Sequence, residues 1–305
     1  MVVLCAAAPA RAVEITPIKV IDEPGNQQFS ASGNGDWLAF TANTDAHPNR
    51  FNAYGVKVDG SARTRLNPKG TRGNAGNFDP GTNTVIYNQY SDTSRSNLWF
   101  FDLNTTDRAK VPSVNTKWFE YNGLVSTGYV LFDRDHRVNG TYYTDLILFD
   151  RAGRTETTIG SWRAGHVFVF TGSVGATTAS FEVVKTKPTF TITSYVYHIA
   201  GHTRSKIPVP AGKFAYGATV DETNDLVYFS RSGNGCGLNV TIRRVSLADL
   251  EAPQEVMGSM PDGVDAGELS LAPNNDTLAT DLLFTRYSCA KGVQHVFELP
   301  GVDTV

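Results

Sequence analysis

An aromatic residue recurs along the chain at a nearly constant interval. The residues are Phe40, Tyr87, Phe132, Phe181, Phe229 and Phe284, and the intervals between them are 47, 45, 49, 48 and 55 residues. The segment that follows each aromatic ends on a similar interval, at Asp59, Asp102, Asp150, Ala200, Ser246 and Pro300. A period of this size, with several short strands in each repeat, is typical of a β-propeller with one four-stranded blade per repeat. The sequence therefore predicts an all-β, six-bladed propeller of antiparallel blades.

The clearest copy of the repeat is Ser30–Gly60. A Gly/Asn/Asp turn at Gly33–Asp36 precedes the apolar segment WLAFTA, and a second apolar segment ends in Val-Asp-Gly. Two apolar segments joined by a polar stretch indicate a hairpin. We expect Trp37 and Phe40 to pack between blades.

The two ends of the chain complement each other. Val13–Ile21 alternates apolar and polar residues like a strand, whereas the last repeat lacks its fourth strand. Closing the ring with the N-terminal strand would protect sheet edges, so we expect this strand to pair in the last blade. The alternative is a terminal strand lying loose on the surface.

The N-terminal segment MVVLCAAAPARA is apolar and rich in alanine, and Ala10-Arg11-Ala12 fits signal peptidase cleavage before Val13. We interpret residues 1–12 as the remnant of a secretory signal and residues 13–305 as a single β-propeller domain; the alternative is a disordered leader. No other segment approaches the roughly 20 apolar residues of a membrane span. We therefore expect a secreted or periplasmic protein.

Two cysteines fall at the same place in adjacent repeats. Cys236 and Cys289 both lie in the predicted loop between second and third strands, in blades 5 and 6. A disulfide between these loops fits an exported protein, and two unrelated thiols are the alternative.

Known catalytic motifs are missing from the sequence. It contains no G-x-S-x-G elbow, H-E-x-x-H, paired C-x-x-C, phosphate-binding loop or EF-hand loop. The net charge of -3 argues against nucleic acid as a partner. A binding role is therefore favoured over simple catalysis.

The predicted tips between second and third strands are more basic than the chain as a whole. They carry nine basic residues against four acidic ones, with tyrosines among them. Because Arg and Tyr are favoured at contact hot spots, we predict a surface for an anionic partner. The alternative is a set of solvated loops that keep the protein soluble. The predicted partner-binding residues are Arg50, Arg95, Arg134, Arg137, Tyr143, Arg231 and Arg286.

Two acidic groups are weaker candidates for chemistry. Asp22, Glu23, Asp262 and Asp265 lie at neighbouring blade junctions and could hold Ca²⁺ through oxygen ligands, or could simply be solvated. The segment Asp133–Arg137 contains two carboxylates and a histidine. Since neighbouring residues of an extended segment point to opposite sides, Asp133 and Asp135 share a side that His136 does not, and a salt-bridge network is favoured there over acid–base catalysis.

The repeat resembles a known family. S-x-x-G-x-G-D-W-L-A-F at Ser30–Phe40, Y-G-V-K-V-D-G at Tyr54–Gly60 and the following R-L-N are similar to the PD40 repeat of TolB-like propellers, and Asp79–Tyr87 and Asp221–Phe229 are degenerate copies. TolB resembles a propeller preceded by a smaller α/β domain, whereas about ten residues separate the predicted cleavage site from blade 1. The resemblance thus implies a fold and an extracytoplasmic compartment, without a translocation role.

These observations favour an exported, monomeric TolB-like propeller acting as a non-catalytic binding or scaffold module for an anionic protein or a cell-envelope glycan. The alternative is an enzyme at the channel mouth, such as a glycan-acting hydrolase or lyase, or a lactonase-like metal enzyme. An enzyme must bring acids, a histidine or a metal together at the channel, whereas a binding module needs only complementary shape and charge.

Overall fold

The computed structural model describes residues 18–21, 27–44, 47–92, 95–273 and 279–302. Its strands form six antiparallel sheets of four strands each. Blade 1 contains β2 (Gln28–Gly33), β3 (Trp37–Thr44), β4 (His47–Lys57) and β5 (Arg63–Arg65). Blade 2 contains β6 (Arg72–Phe78), β7 (Thr84–Asp92), β8 (Arg95–Asp102) and β9 (Arg108–Lys110). Blade 3 contains β10 (Phe119–Val125), β11 (Tyr129–Val138), β12 (Thr141–Asp150) and β13 (Thr155–Arg163).

The remaining blades follow the same order. Blade 4 contains β14 (Val167–Val174), β15 (Thr178–Lys185), β16 (Thr191–His198) and β17 (Thr203–Lys206). Blade 5 contains β18 (Phe214–Asp221), β19 (Leu226–Ser232), β20 (Thr241–Ser246) and β21 (Gln254–Met257). Blade 6 contains β22 (Val264–Pro273), β23 (Thr280–Ser288), β24 (Val293–Leu299) and, as its fourth strand, β1 (Ile18–Ile21). No helix of the described ranges is long and apolar enough to cross a bilayer.

The predicted ring closure is confirmed. The C-terminal part of the chain supplies three strands of blade 6, and β1 pairs antiparallel with β24, with Ile18 opposite Glu298 and Ile21 opposite Val296. Both ends of the described chain therefore meet in one sheet, which covers an edge that would otherwise expose unpaired backbone groups.

The recurring aromatics form the core. Phe40, Tyr87, Phe132, Phe181, Phe229 and Phe284 are all at most 1% exposed. Each lies in the second strand of its blade and packs in an apolar cluster, most of which join adjacent blades; Tyr87 of blade 2, for example, packs with Trp37 and Leu66 of blade 1. Burial of such a side chain contributes about 2 kcal/mol. The period of the sequence is thus the period of interblade packing.

Every inner strand carries a β-bulge at an equivalent level. The register shifts in β2, β6, β10, β14, β18 and β22. Gly76 and Gly172 occupy two of the bulges, where a Cβ atom would overlap a carbonyl oxygen of the next blade. Ser30, Asn122 and Glu268 occupy equivalent positions with positive φ, and all three side chains line the central channel. The bulges therefore bring the inner strands close together and direct selected side chains into the channel.

Candidate functional site

The propeller has two chemically different ends. We call the end formed by the loops between second and third strands and by the blade-to-blade connections the tip end. The opposite end, formed by the loops between first and second and between third and fourth strands, is the turn end.

The described hairpin loops of the tip end expose only basic charges. Among the side chains described there, the exposed charged ones are Arg50, Arg95, Arg137, Lys185, Lys187 and Lys291. Three of the blade-to-blade connections add the exposed charges of Lys69, Lys117 and the acidic Asp262. The first residue of β6 and the last residue of β13 add those of Arg72 and Arg163. Among the described side chains, the tip end is therefore predominantly basic, on a chain whose net charge is -3.

Two predicted partner-binding arginines are only partly exposed. Arg231 and Arg286 are half-buried. The Arg286 guanidinium lies 4.6 Å from the centre of the Phe297 ring, and burial lowers its pKa. Both residues lie near the ends of second strands, β19 and β23. The exposed Arg50, Arg95 and Arg137 are called the rim arginines.

Arg134 was predicted to bind a partner at an exposed tip, but its side chain is only 9% exposed and faces the core. Its Nε lies 3.0 Å from Glu120 Oε1, its two terminal nitrogens lie 2.7 and 2.8 Å from the Glu156 carboxylate, and it also donates to the Val114 carbonyl. Although burial opposes the charge, these acidic partners raise the pKa of Arg134. These internal ion pairs and hydrogen bonds occupy the guanidinium group, so Arg134 is not available to an external partner.

Tyr143 belongs to an aromatic group at the tip end of blade 3. Its ring stacks on His136 at 5.8 Å, and His136 contacts the Trp118 ring at 6.2 Å. Lys117 Nζ lies 5.0 Å from the centre of the Trp118 ring. Trp118 and His136 were not predicted as site residues, because Trp118 reaches the group from the connection that precedes blade 3.

The predicted calcium ligands are not all described. Asp22 and Glu23 lie outside the described residues. Asp262 is exposed, whereas Asp265 accepts hydrogen bonds from the Tyr216 hydroxyl and from the Ala266 amide. Burial and the adjacent Asp265 charge raise the pKa of Tyr216. The described part of the chain has no group of three or more His, Cys, Asp or Glu residues that could hold a metal ion.

The predicted disulfide is present. Cys236 and Cys289 are bonded and join the tip loops of blades 5 and 6, across a sequence separation of 53 residues. The pairing fastens two neighbouring blades at the tip end.

A cavity of about 1240 Å³ lies in the channel and reaches loops of the turn end. Its wall runs from the bulges of the inner strands to loops of the turn end, including Gly33–Asp36 and Asp79–Asn83, and includes no hairpin tip. The charged residues of the wall are all acidic: Asp36, Asp79, Asp102, Glu182 and Glu268. Asp79 is neutralised by Arg151, whose two terminal nitrogens lie 2.7 and 2.8 Å from its oxygens. The cavity thus extends towards the end opposite the predicted binding surface and has the opposite charge.

Two glutamates meet at the centre of the channel. Glu182 accepts a hydrogen bond of 2.9 Å from the Gly217 amide, and Glu268 accepts hydrogen bonds from the Ser30 amide and the Thr285 hydroxyl. Burial, reinforced by the negative charge of Glu268, raises the pKa of Glu182 to about 7. Although the Glu268 side chain is exposed to the channel, the surrounding protein also raises its pKa by desolvation. Glu182 can therefore hold or release a proton near neutral pH.

A repeated sequence pattern marks the residues at this level of the channel. The residue immediately after each recurring aromatic is polar, in the order Thr41, Asn88, Asp133, Glu182, Ser230 and Thr285. Five of the six are at most 3% exposed, and Glu182 is partly exposed to the channel. Several bond to an inner strand; Thr41 accepts from the Ala75 amide of the next blade, for example, and Asn122 donates to Asp133. An aromatic–polar pair in every repeat therefore marks the layer where the second strands support the bulges.

Neither a protein-family model nor a curated protein sequence matches this chain. Solved structures do match. TolB from Acinetobacter baumannii aligns with a TM-score of 0.54 and 12% identity over 91% of this chain, which spans 64% of that structure. A TolB structure from Agrobacterium tumefaciens gives 0.53 and 10% identity, with 92% of both chains covered. An oligogalacturonate lyase in complex with manganese gives 0.55 and 14% identity, with 93% of this chain and 84% of that chain covered.

Structural matches at such low sequence identity establish the fold of this chain. They do not identify its activity, which depends on the residues of the site. The neighbours include both TolB proteins and an enzyme, so the same scaffold serves more than one function among them. The chain is a six-bladed β-propeller with a TolB-like fold.

Proposed function

We propose that this protein is an exported, non-catalytic binding module that recognises an anionic partner, either a protein or a cell-envelope glycan, through its tip end. The observation that carries the proposal is that the exposed charged side chains described in the hairpin loops are all basic. Fixed charges of one sign on one end attract a partner of opposite sign and orient it as it approaches.

The rim arginines are the residues proposed to contact the partner. Arg50, Arg95 and Arg137 are exposed, and Arg137 lies 5.3 Å from the centre of the exposed Tyr142 ring. An arginine held over an aromatic ring keeps its guanidinium edge free for a carboxylate or phosphate. Arg231, Arg286 and Tyr143, which are less exposed, would add further contacts at the tip end.

Binding of two simple polyanions, poly-L-glutamate and a short oligomannuronate, tests the proposal. We expect binding of at least one of them to weaken steeply when the ionic strength is raised from about 0.05 to about 0.5 M, because salt screens exposed charges. The double variant R50Q/R95Q should bind it several-fold more weakly. The matched control K57Q/R154Q also removes two positive charges, but from the turn end, and should bind like the wild type. Binding of neither polyanion, or equal losses in both variants, would contradict the proposal.

The proposed compartment is extracytoplasmic. The Cys236–Cys289 disulfide supports it, because such bonds persist in oxidising compartments. Export of the full chain with an N-terminus at Val13 would support both the signal and the compartment, whereas an unprocessed, reduced protein in the cytoplasm would refute them. Sedimentation at the mass of one 33.1 kDa chain would support the proposed monomer.

An enzyme acting on glycans at the channel is the second candidate. It is favoured by Glu182, whose pKa of about 7 suits proton transfer at neutral pH. Incubation with oligogalacturonate, with and without Mn²⁺, should release unsaturated or shortened products if this alternative is correct.

A Ca²⁺ site formed by Asp22, Glu23, Asp262 and Asp265 is a separate proposal, and a melting temperature unaffected by Ca²⁺ would refute it.

A further inference from the structure

The tip end carries a group of rings that blade packing does not require. Trp118, His136 and Tyr143 form a continuous row, in which Trp118 meets His136 edge to face at 6.2 Å and His136 stacks on Tyr143 at 5.8 Å. All three are partly exposed. The described interblade clusters do not include them.

Cations border this row on two sides. Lys117 Nζ lies 5.0 Å from the centre of the Trp118 ring. Arg163 lies directly opposite Tyr143 in the antiparallel pair of β12 and β13, so their side chains leave the same face of the sheet. Both Lys117 and Arg163 are exposed. We call Lys117, Trp118, His136, Tyr143 and Arg163 the aromatic tray.

Neighbouring contacts help to position the tray. His136 Nδ1 lies 3.5 Å from Asp145 Oδ2, and the buried Arg134, two residues from His136 on the same strand, is tied to Glu120 and Glu156. Trp118 is held at its backbone, because its amide donates to the Thr116 hydroxyl. A platform whose supporting side chains are already fixed loses little conformational entropy when a ligand binds.

The chemistry of the tray selects among anionic partners. A half-exposed aromatic row packs against the flat C–H face of a pyranose ring, while flanking cations bind carboxylates on the edge of the sugar. A flexible acidic peptide presents carboxylates but no flat apolar face. We infer that the aromatic tray is a binding site for a uronate-containing oligosaccharide, an assignment that rests on the proposed function and selects the glycan over the protein partner.

The tray lies apart from the residues used to test the general proposal. Arg50 and Arg95 belong to blades 1 and 2, whereas Trp118 precedes blade 3. Substitutions in the two groups can therefore separate attraction of any polyanion from recognition of a sugar.

The test measures binding of three probes: a short oligomannuronate, its carboxyl-reduced neutral form and poly-L-glutamate. The variant W118A should weaken oligomannuronate binding at least about tenfold, as expected for a central aromatic contact. Its affinity for poly-L-glutamate should stay within about twofold of the wild type. W118F retains a ring and should recover most of the sugar affinity, which keeps the test valid if W118A is unstable.

Phe190 supplies the matched control. It is 46% exposed at the tip of blade 4, outside the tray, so F190A should leave oligomannuronate binding unchanged. The neutral oligosaccharide should bind much more weakly than the acidic one. The inference is overturned if W118A and F190A weaken sugar binding equally, if the neutral sugar binds as well as the acidic one, or if poly-L-glutamate binds and oligomannuronate does not. In the last case the general proposal still stands, whereas it fails together with the inference if neither polyanion binds.

Discussion

Replacing Glu182 by Gln is expected to change how the stability of the propeller depends on pH. The carboxylate is fixed in the channel, where one oxygen accepts a hydrogen bond from the Gly217 amide at 2.9 Å. Gln has the same shape and keeps a carbonyl oxygen for that bond, so the substitution removes the ionisation and little else.

The magnitude follows from the pKa. Burial first, and the negative charge of Glu268 second, raise the pKa of Glu182 from 4.5 to about 7 in the folded protein. At about 1.36 kcal/mol per pH unit, this rise corresponds to about 3 kcal/mol. Because Glu182 is partly exposed to a water-accessible channel, solvent screening reduces the figure, and we expect about 1–2 kcal/mol.

The sign follows from proton binding. Between pH 4.5 and about 7 the folded protein binds more protons at Glu182 than the unfolded chain does. The contribution of Glu182 to the free energy of unfolding therefore falls as the pH rises through this range and stays level above it. E182Q lacks this loss and should gain stability relative to the wild type as the pH rises.

Urea unfolding gives the free energy of unfolding of E182Q and of the wild type at about pH 4.5 and about pH 8. The effect is the change, between these two pH values, in the stability difference between the two proteins. Ionisable groups that do not interact with Glu182 cancel in this comparison, including Glu298, whose pKa burial and the adjacent Asp281 raise to about 7. The matched control is E222Q. Although burial opposes it, the hydrogen bonds from Thr178, Thr177 and Ala176 lower the pKa of Glu222 from 4.5. Its contribution to stability is therefore lost only as the pH falls below about 4.5, so E222Q should differ from the wild type by nearly the same amount at the two pH values. A stability difference between E182Q and the wild type that is equal at the two pH values would refute the reasoning.

Three further substitutions test the packing. R134M should lower the free energy of unfolding by about 3–5 kcal/mol, because it leaves Glu120 buried without its cation. The double variant C236S/C289S should lower it by about 4 kcal/mol, the chain-entropy value for a loop of this length, as measured by urea unfolding. G172A should cost about 1–3 kcal/mol, read from the melting temperature, because the added Cβ overlaps a backbone oxygen of blade 5.

Each of these has a contrasting control. R137M changes an exposed arginine of the same strand and should cost less than about 1 kcal/mol. Reducing agent should destabilise the wild type and leave the double serine variant unchanged. G128A places its Cβ where no atom lies within 4 Å, so it should be tolerated. Equal losses in R134M and R137M, or in G172A and G128A, would contradict the packing derived from the structure.

The fold was predictable because its information is local and repeated. Each recurring aromatic lies in a short apolar segment, and interblade packing needs one such residue at the same place in every blade. The unpaired strand at one end and the missing strand at the other indicated the closure now seen between β1 and β24. Cys236 and Cys289 occupied the same position in adjacent repeats, and neighbouring tips of a closed ring lie within bonding distance.

The site was less predictable, because it depends on where strands end and how blades face each other. Arg134 was expected at an exposed tip, but β11 continues to Val138 and places Arg134 within the strand, facing Glu120 and Glu156. The cavity at the turn end was not predicted, since the bulges that turn Glu268 into the channel leave no mark in hydrophobic periodicity.

The number of blades, the position of the core aromatics and the disulfide were predictable because each follows from residues at equivalent places in the repeats. The closing strand was predictable because the last repeat lacks one strand and the N-terminal segment supplies one. Only the tertiary structure decided which charges are buried, which end of the channel the cavity reaches, and that Trp118 from one connection joins His136 and Tyr143 from two strands. These properties arise from contacts between segments far apart in the repeat, and no local pattern encodes them.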